Sequence, residues 1–128
     1  MILELLENEY SIYKFNPDYV IKENIFTEEF INITKTKEEL SIVAPINKFS
    51  DFVAVENGWK ILKIKGILDL NLIGILSKIA GILANENISI FAMSTYNTDY
   101  IMVQEKNIKK AIDALTKNQY EIKSNSSL

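Results

Sequence analysis

The chain has 128 residues, of which 48% are hydrophobic and 24% charged. These proportions are typical of a soluble globular protein with one compact domain or two small ones. Its 17 acidic and 14 basic residues give a formal net charge of -3, so no basic excess is available to neutralise a nucleic-acid backbone. The chain contains neither cysteine nor histidine, which excludes thiolate chemistry and removes the commonest metal ligand and general base. No catalytic residue, metal or cofactor is predicted.

The N-terminal run MILELLENEYSIY carries carboxylates where a secretory signal would carry basic residues. No stretch of about 18 apolar residues is free of charge, so no transmembrane helix is predicted. We therefore predict a cytoplasmic protein with neither a membrane nor nucleic acid as a partner.

The N-terminal half is predicted to be a reduced copy of the C-terminal half. Phe30–Pro45 aligns with Ile90–Glu105 at a constant offset of 60 residues, and both segments are typical of strand–turn–strand. Tyr10–Asn16 is predicted to be the first strand of this copy, and Met1–Leu6 an additional strand.

The two helices of a full copy are incomplete in this half. Pro17–Glu29 takes the place of the first helix but lacks a full apolar stripe, and Ile46–Phe49 is long enough for one helical turn only. The dipeptide Asn57-Gly58 is the clearest turn between the halves. We accordingly predict two units, 1–58 and 59–128.

The C-terminal half starts with a predicted strand, Trp59–Gly66, and a short loop. A helix follows, with Asn71 as its N-cap and Asn85-Glu86-Asn87 as its end. Within it, Gly81 is interpreted as a packing glycine. The helix is predicted from apolar residues that recur every three or four positions: Leu72, Ile75, Leu76, Ile79, Ile82 and Leu83.

A buried strand is predicted at Ile88–Tyr96, with Asp99–Glu105 as its hairpin partner. Asn107 caps a second helix that Asn118 ends, and Tyr120–Ile122 adds a last strand. Lysines near the start of this helix are interpreted as solvated. The order β-α-β-β-α-β predicts an α+β protein of two ferredoxin-like units, with antiparallel sheets, helices on one face and the first unit reduced.

At this point the residues resemble a known family. The runs GILDLNLIGILSKIAGILA and NISIFAMSTYNTDYIMV resemble an ACT domain, and TKTKEELSIV is similar to a tandem variety. That variety comprises small stand-alone bacterial proteins related to animal cytosolic arginine sensors; ACT domains also regulate aspartokinase. The resemblance implies a regulatory module that binds a free amino acid at an interface between two ACT units, in one chain or across a homodimer. It implies a site formed by the loop before the first helix and the second strand of a neighbour.

The residues themselves make such a site chemically reasonable. Free amides at a helix start near Leu72 suit a carboxylate, Gly74 lets a ligand approach the backbone, and Asp69 can pair with an α-ammonium group. The predicted ligand-binding residues are Asp69, Leu72, Ile73, Gly74, Met93, Ser94, Thr95 and Asp99. Each also has a structural interpretation, such as a turn or packing role.

The predicted function is therefore a non-enzymatic sensor that binds a small molecule, an amino acid, and acts through a homodimer or a regulated protein. Two other classes remain open. One is a protein–protein interaction module without a ligand, and the other is an enzyme of ferredoxin-like fold that uses carboxylates or backbone groups.

Overall fold

The computed structural model describes residues 1–65 and 74–124. The chain divides into two compact units. Unit 1 consists of Met1–Glu7 and Lys60–Leu128, and unit 2 of Asn8–Trp59. The first seven residues thus belong to unit 1, whereas the sequence analysis placed them with the N-terminal half.

Among the described residues the chain forms eight strands and two α-helices. In chain order these are β1 (Ile2–Leu5), β2 (Tyr10–Phe15), β3 (Asn32–Lys35), β4 (Leu40–Pro45), β5 (Ala54–Ile64), α1 (Ile75–Asn85), β6 (Ile90–Ser94), β7 (Asp99–Gln104), α2 (Ile108–Lys117) and β8 (Glu121–Ser124). A short 3-10 turn, Glu105–Asn107, precedes α2. None of these helices is long and apolar enough to cross a membrane.

The sheet of unit 1 has the strand order β6-β7-β5-β1-β8. A ferredoxin-like unit would place the last strand beside the first, but here β1 lies between β5 and β8. It runs antiparallel to β5, with Leu3 opposite Ile64, and parallel to β8, with Leu3 opposite Ile122. The N-terminal strand is therefore paired on both sides within unit 1, which explains why Met1–Glu7 belongs there.

Both helices of unit 1 pack on one face of this sheet, as predicted. Their apolar residues and those of the strands form one core. Burial of this apolar surface stabilises the unit, since transfer from water contributes roughly 25 cal/mol per Å². The buried members of the core are Leu3, Leu62, Ile64, Ile79, Leu83, Ile88, Ile101, Val103, Ala111, Leu115 and Tyr120.

Helix α1 begins at Ile75, three residues later than the predicted start near Leu72. Gly74 is its N-cap, with φ 79° in the left-handed region. Because glycine has no side chain, it donates or accepts no side-chain hydrogen bond at the start of the helix. A left-handed residue cannot continue a right-handed helix, so the helix can begin only after Gly74. Asn71 is therefore not the N-cap of α1, and it lies outside the described residues. The predicted end is confirmed: Asn87 adopts φ 60° directly after the helix.

Strand β6 is shorter and more exposed than the buried strand predicted at Ile88–Tyr96. In the part of the chain that the structure describes, it pairs only with β7 and lies at the sheet edge. Met93 is buried, whereas Phe91, Ala92 and Ser94 are exposed. β-Branched and aromatic composition therefore indicated the strand correctly but not its burial, which depends on neighbours.

Unit 2 is a sheet with the order β3-β4-β2-β5. The predicted strand–turn–strand at Phe30–Pro45 is confirmed as the antiparallel pair β3 and β4. Asn57-Gly58, however, is a β-bulge within β5 and not a turn, because the register against β2 shifts between Tyr10 and Ile12. Gly58 has φ 83°, and the Asn57 side chain accepts a hydrogen bond from the buried Ser11 hydroxyl. Bulges of this kind favour glycine in the left-handed conformation.

Aromatic rings pack against one another in the core of unit 2. The Tyr13 ring lies edge-on to Phe49, with 5.1 Å between centroids, and Phe15 stacks on Tyr19 at 4.2 Å. Residues 8–59, all of which are described, contain no α-helix. Ile46–Phe49 is not a helical turn, since Asn47 adopts φ 61°. Unit 2 is reduced because it lacks the two helices of a ferredoxin-like unit.

Gly81 is not a packing glycine. It lies exposed on α1, and a Cβ at this position would meet no other side chain of the described residues within 4 Å. Because glycine inside a helix costs about 1 kcal/mol relative to alanine, we expect Gly81→Ala to raise the free energy of unfolding by about 0.5–1 kcal/mol. Urea denaturation followed by circular dichroism measures this change.

The control is Gly74→Ala, whose added Cβ also meets no atom of residues 1–65 and 74–124 within 4 Å but whose backbone must adopt φ 79°. It is expected to lower the free energy of unfolding by about 1 kcal/mol, since a side chain is strained there. A loss of stability in Gly81→Ala would show that this face of α1 is covered.

Candidate functional site

Several chain segments meet at one end of the strands of the unit 1 sheet. Leu3 lies opposite Ile64, and Ile2 opposite Glu121, so β5 ends where β1 and β8 begin. The β6–β7 hairpin reaches the same end of the strands, because the buried Thr98 hydroxyl donates a hydrogen bond to the Ile64 carbonyl at 2.8 Å.

A cavity of about 340 Å³ opens beside the first turn of α1. Its volume lies within the range of small-molecule sites, roughly 300–1,000 Å³. We call it the helix-end cavity, because the start of α1 and the end of α2 meet there. Its lining residues are Met1, Gly74, Ile75, Lys78, Asn118, Gln119 and Tyr120.

The α1 side of the helix-end cavity favours an anion. The first backbone amides of a helix have no intrahelical acceptor, and they carry about half a positive charge. Gly74 is exposed and adds no side chain, and the exposed Lys78 brings an ammonium group. The first turn of α1 contains no acidic residue that would compete for the amides.

The α2 side of the cavity has the opposite polarity. Helix α2 ends at Lys117, and the partial charge at a helix C-terminus is negative. Asn118 folds back, so that its side-chain amide donates to the Ala114 carbonyl at 2.8 Å. Gln119 then adopts φ 74°, and the Tyr120 amide donates to Leu115 at 3.1 Å. These bonds occupy the carbonyls of Ala114 and Leu115, so the attraction for a cation comes from the partial charge of the helix end. A zwitterion could place its carboxylate at the α1 end and its ammonium group near the α2 end.

The predicted residues of the β6–β7 hairpin bond to one another. The Ser94 hydroxyl donates to the Asp99 carboxylate at 2.5 Å. The Thr95 amide donates to the Thr98 carbonyl at 2.8 Å, and the Thr98 amide donates to the Thr95 hydroxyl at 3.3 Å. These bonds favour the structural interpretation, in which the polar groups close a tight hairpin.

The structure does not bring all predicted site residues together. Gly74 lines the helix-end cavity, whereas Met93, Ser94, Thr95 and Asp99 do not. Two strands, β7 and β5, lie between β6 and β1. At the usual spacing of neighbouring strands, the distance from β6 to β1 is about 14 Å.

The other three predicted site residues, Asp69, Leu72 and Ile73, lie outside the described residues. No group of three or more acidic residues suited to a metal ion occurs within residues 1–65 and 74–124.

Of the residues that line the cavity, only Gly74 was among the predicted site residues; the six others are Met1, Ile75, Lys78, Asn118, Gln119 and Tyr120. A local signal existed for Lys78, since it follows Gly74 by one helical turn, and its amide donates to the Gly74 carbonyl at 2.8 Å. Asn118 was recognised only as the end of a helix. Its place opposite Gly74 depends on how α2 and β8 pack, which no local pattern shows.

Two protein families match this chain. Residues 54–117 match a family described as the ACT domain, and residues 8–51 match a family of N-terminal domains. Among curated proteins, none matches this chain.

Solved structures resemble this fold over most of its length. A crystal structure of a protein from Agobacterium tumefaciens is 27% identical, with a TM-score of 0.88 over 97% of this chain and 92% of that one. The alpha and beta subunits of an aspartokinase are 16% identical, with a TM-score of 0.63 over 91% of this chain and 96% of that one. Aspartokinase III of E. coli, solved with aspartate and ADP, is 14% identical, with a TM-score of 0.59 over 91% of this chain and 32% of that one. At these identities the aspartokinases show a shared fold alone.

Proposed function

Since this chain belongs to the ACT-domain family, we propose that it is a regulatory protein whose ligand is a free amino acid bound in the helix-end cavity. The family supports a regulatory, small-molecule-binding role in general. The identity of the ligand as an amino acid, and its place in this cavity, are the parts that we propose.

The observation that carries the proposal is the opposed polarity of the two helix ends. An α-amino acid presents a carboxylate and an ammonium group a few ångströms apart. The first-turn amides of α1 and Lys78 suit the carboxylate, and the end of α2 suits the ammonium group. Ile75 and Tyr120 add apolar surface for a side chain.

The charges of the cavity suggest which amino acid to test first. An acidic amino acid could place one carboxylate on the first-turn amides of α1 and the other on the exposed Lys78. Aspartate and glutamate are therefore the first candidates, with the other amino acids tested alongside.

Regulation would follow from differential binding. A ligand shifts an equilibrium between two states only by its difference in affinity for them. ACT domains often oligomerise, so we propose that occupancy is transmitted through a homodimer or a regulated protein in the cytoplasm. In this proposal the chain itself catalyses no reaction.

Thermal unfolding of the purified protein with each of the common amino acids at millimolar concentration tests the proposal. A ligand at about 100 times its Kd adds about 2.7 kcal/mol of stability. For a chain of this size the expected rise in Tm is on the order of 10 °C. Sedimentation with and without the amino acid reports the oligomeric state.

Variants locate the site. Lys78→Ala and Gly74→Ala are expected to reduce the ligand-induced rise in Tm, whereas Lys35→Ala, an exposed lysine of unit 2, should leave it unchanged. Asp99→Asn is expected to keep it, since Asp99 accepts from Ser94 within the hairpin.

Loss of the Tm shift in Asp99→Asn but not in Lys78→Ala would move the site to the hairpin and contradict the helix-end cavity. Flat curves for every amino acid, together with a stable dimer, would favour an interaction module instead.

A further inference from the structure

The sheet of unit 2 has two edge strands. In the order β3-β4-β2-β5, β3 lies at one edge and the beginning of β5 at the other. An edge strand presents amides and carbonyls that have no partner strand, so it can pair with another extended chain. Each edge of unit 2 is therefore a candidate interaction surface, and exposure, sequence and charge decide between them.

The end of β5 has strands on both sides, whereas its beginning has a strand on one side only. β2 pairs with residues 54–59 and β1 with residues 62–64. β7 also pairs with β5, and the bond from the Thr98 hydroxyl to the Ile64 carbonyl places the start of β7 at the end of β5. Since β7 has six residues and β5 has eleven, β7 does not reach the beginning of β5. Within the parts of the chain that the structure describes, residues 52–56 thus have no strand on the side away from β2, and we call them the β5 edge.

Side chains on both faces of the β5 edge are accessible. Successive residues of a strand face opposite sides of the sheet. Val55 is half-buried on the face of the unit 2 core, opposite Tyr13, whereas Glu56 is exposed on the other face. Phe52 and Val53, which lead into the strand, are 36% and 59% exposed. The edge therefore offers apolar surface and, on the face away from the core, a carboxylate.

The β5 edge is held in an extended form by its contacts with β2. The Val53 amide donates to the Lys14 carbonyl at 2.7 Å, and Ala54 lies opposite Lys14 in the register of the two strands. A chain that pairs with this edge does not have to order it first, which lowers the free-energy cost of binding.

Natural sheets protect their edges with lysine or proline, and the two edges of unit 2 differ in this respect. Strand β3 ends at Lys35, and the exposed Lys37 follows in the turn. Residues 51–56 contain neither lysine nor proline. The bulge at Asn57-Gly58 ends the regular part of this edge but leaves the residues before it unprotected. The β5 edge is therefore the more open of the two.

Charge selects the kind of chain that fits the β5 edge. The exposed carboxylates of Asp51 and Glu56 flank it, and unit 2 as a whole has nine acidic residues and five lysines. The lysine nearest in register is Lys14, which lies on β2 and therefore on the inner side of β5. A second copy of the same edge, paired antiparallel, would bring Asp51 toward Glu56, and like charges opposite each other are destabilising. A chain with basic residues meets opposite charges instead.

We propose that the β5 edge binds an extended segment of a partner protein in which apolar and basic residues alternate, and that this segment adds a strand to the sheet of unit 2. Main-chain hydrogen bonds supply the pairing, and alternate side chains supply the selectivity. Apolar residues of the segment lie beside Val55 on the core face, and basic residues lie beside Glu56 on the other face. The regulated protein of the function proposed above is a partner of this kind, but binding at this edge requires no ligand in the helix-end cavity.

An NMR titration of the isotope-labelled protein, without any free amino acid, tests the proposal. The probe is a synthetic peptide of alternating lysine and valine. We expect it to shift the amide signals of residues 52–56 and to bind more weakly as salt is added. A peptide of alternating glutamate and valine should not bind. The lysine–valine peptide with methyl groups on alternate backbone nitrogens should not bind either, since it keeps its charge but loses the amides that pair with a strand.

The variant is Glu56→Lys. Its Kd for the lysine–valine peptide should rise about 25-fold, since one charge is removed and the opposite one added, and each step at about 4 Å in water corresponds to about fivefold. The matched control is Glu38→Lys, which makes the same change of charge at an exposed residue of unit 2 beside the other edge. It should bind the peptide as the unchanged protein does.

Four results would overturn the proposal. They are equal weakening by Glu56→Lys and Glu38→Lys, unchanged binding of the methylated peptide, and no binding of the lysine–valine peptide at low salt. The fourth is a dimer that forms without peptide through residues 52–56, which would assign the edge to a second copy. Because no amino acid is present, each of these results leaves the helix-end cavity to its own test by thermal unfolding.

Discussion

Replacement of Leu83 by alanine is expected to lower the free energy of unfolding by about 3 kcal/mol. Leu83 is fully buried in the core of unit 1, where α1 packs on the sheet. Truncation of a buried leucine removes its transfer free energy and leaves a cavity that the neighbours fill only in part. Urea denaturation measures the change, and a shift in the midpoint at constant m-value would show that stability alone has changed.

The matched control is Ile82→Ala, one position earlier on the same helix. Ile82 is only half-buried, so its truncation is expected to cost about 1 kcal/mol. Equal losses at the two positions would contradict the packing of α1 described above. The comparison matters for function, because the packing of α1 places Gly74 and Lys78 at the helix-end cavity.

Replacement of Tyr13 by alanine is expected to lower the free energy of unfolding by about 3–5 kcal/mol. The ring is 1% exposed in the core of unit 2 and lies within 6 Å of Phe49 and Phe52. Its hydroxyl donates to the Pro45 carbonyl at 2.9 Å and accepts from the Lys48 amide at 3.2 Å. The alanine variant loses both the ring contacts and the two hydrogen bonds.

Tyr13→Phe separates these two contributions. It keeps the ring but leaves a carbonyl and an amide without their partner, which is expected to cost about 1–3 kcal/mol. A phenylalanine variant as stable as the unchanged protein would show that water reaches both groups. Tyr13 does not line the helix-end cavity, so a rise in Tm caused by a ligand bound there should survive Tyr13→Phe.

The helix-end cavity uses the residues that follow Lys117 at the end of α2. The buried Ala111 and Leu115 hold this helix on the core. The cavity can therefore be altered by exposed substitutions that leave this packing intact, which keeps tests of binding separate from stability.

Much of unit 1 could be predicted because its signals are local. A few neighbouring residues are enough to recognise the apolar spacing of α2, in which Ala111 and Leu115 face inward. The same holds for the hairpin turn at Thr95–Thr98. The left-handed Asn87 after α1 is likewise a property of one residue. Such local patterns are also found in the folded protein, because the backbone itself sets the repeat of side chains along a helix or a strand.

The errors share one physical cause, which is dependence on distant partners. The bulge at Gly58 exists only relative to β2, and the exposure of Phe91 follows from the edge position of β6. The interpretation of Gly81 as a packing residue is wrong because the sequence does not show which atoms surround it in space. For the site, Gly74 was predicted, but Lys78, Asn118 and Tyr120 join it only after α2 and β8 have packed.

The class of fold, the elements of unit 1, the likeness to ACT domains and the absence of histidine and cysteine could all be recognised from the sequence alone. The place of β1 between β5 and β8 becomes visible only in the folded chain. The same is true of the cavity around which the end of α2 meets the start of α1. Backbone periodicity is a short-range property that each segment carries alone. The pairing of β1 and the meeting of two helix ends depend on contacts between residues about 40 or more positions apart, and no local pattern encodes those contacts.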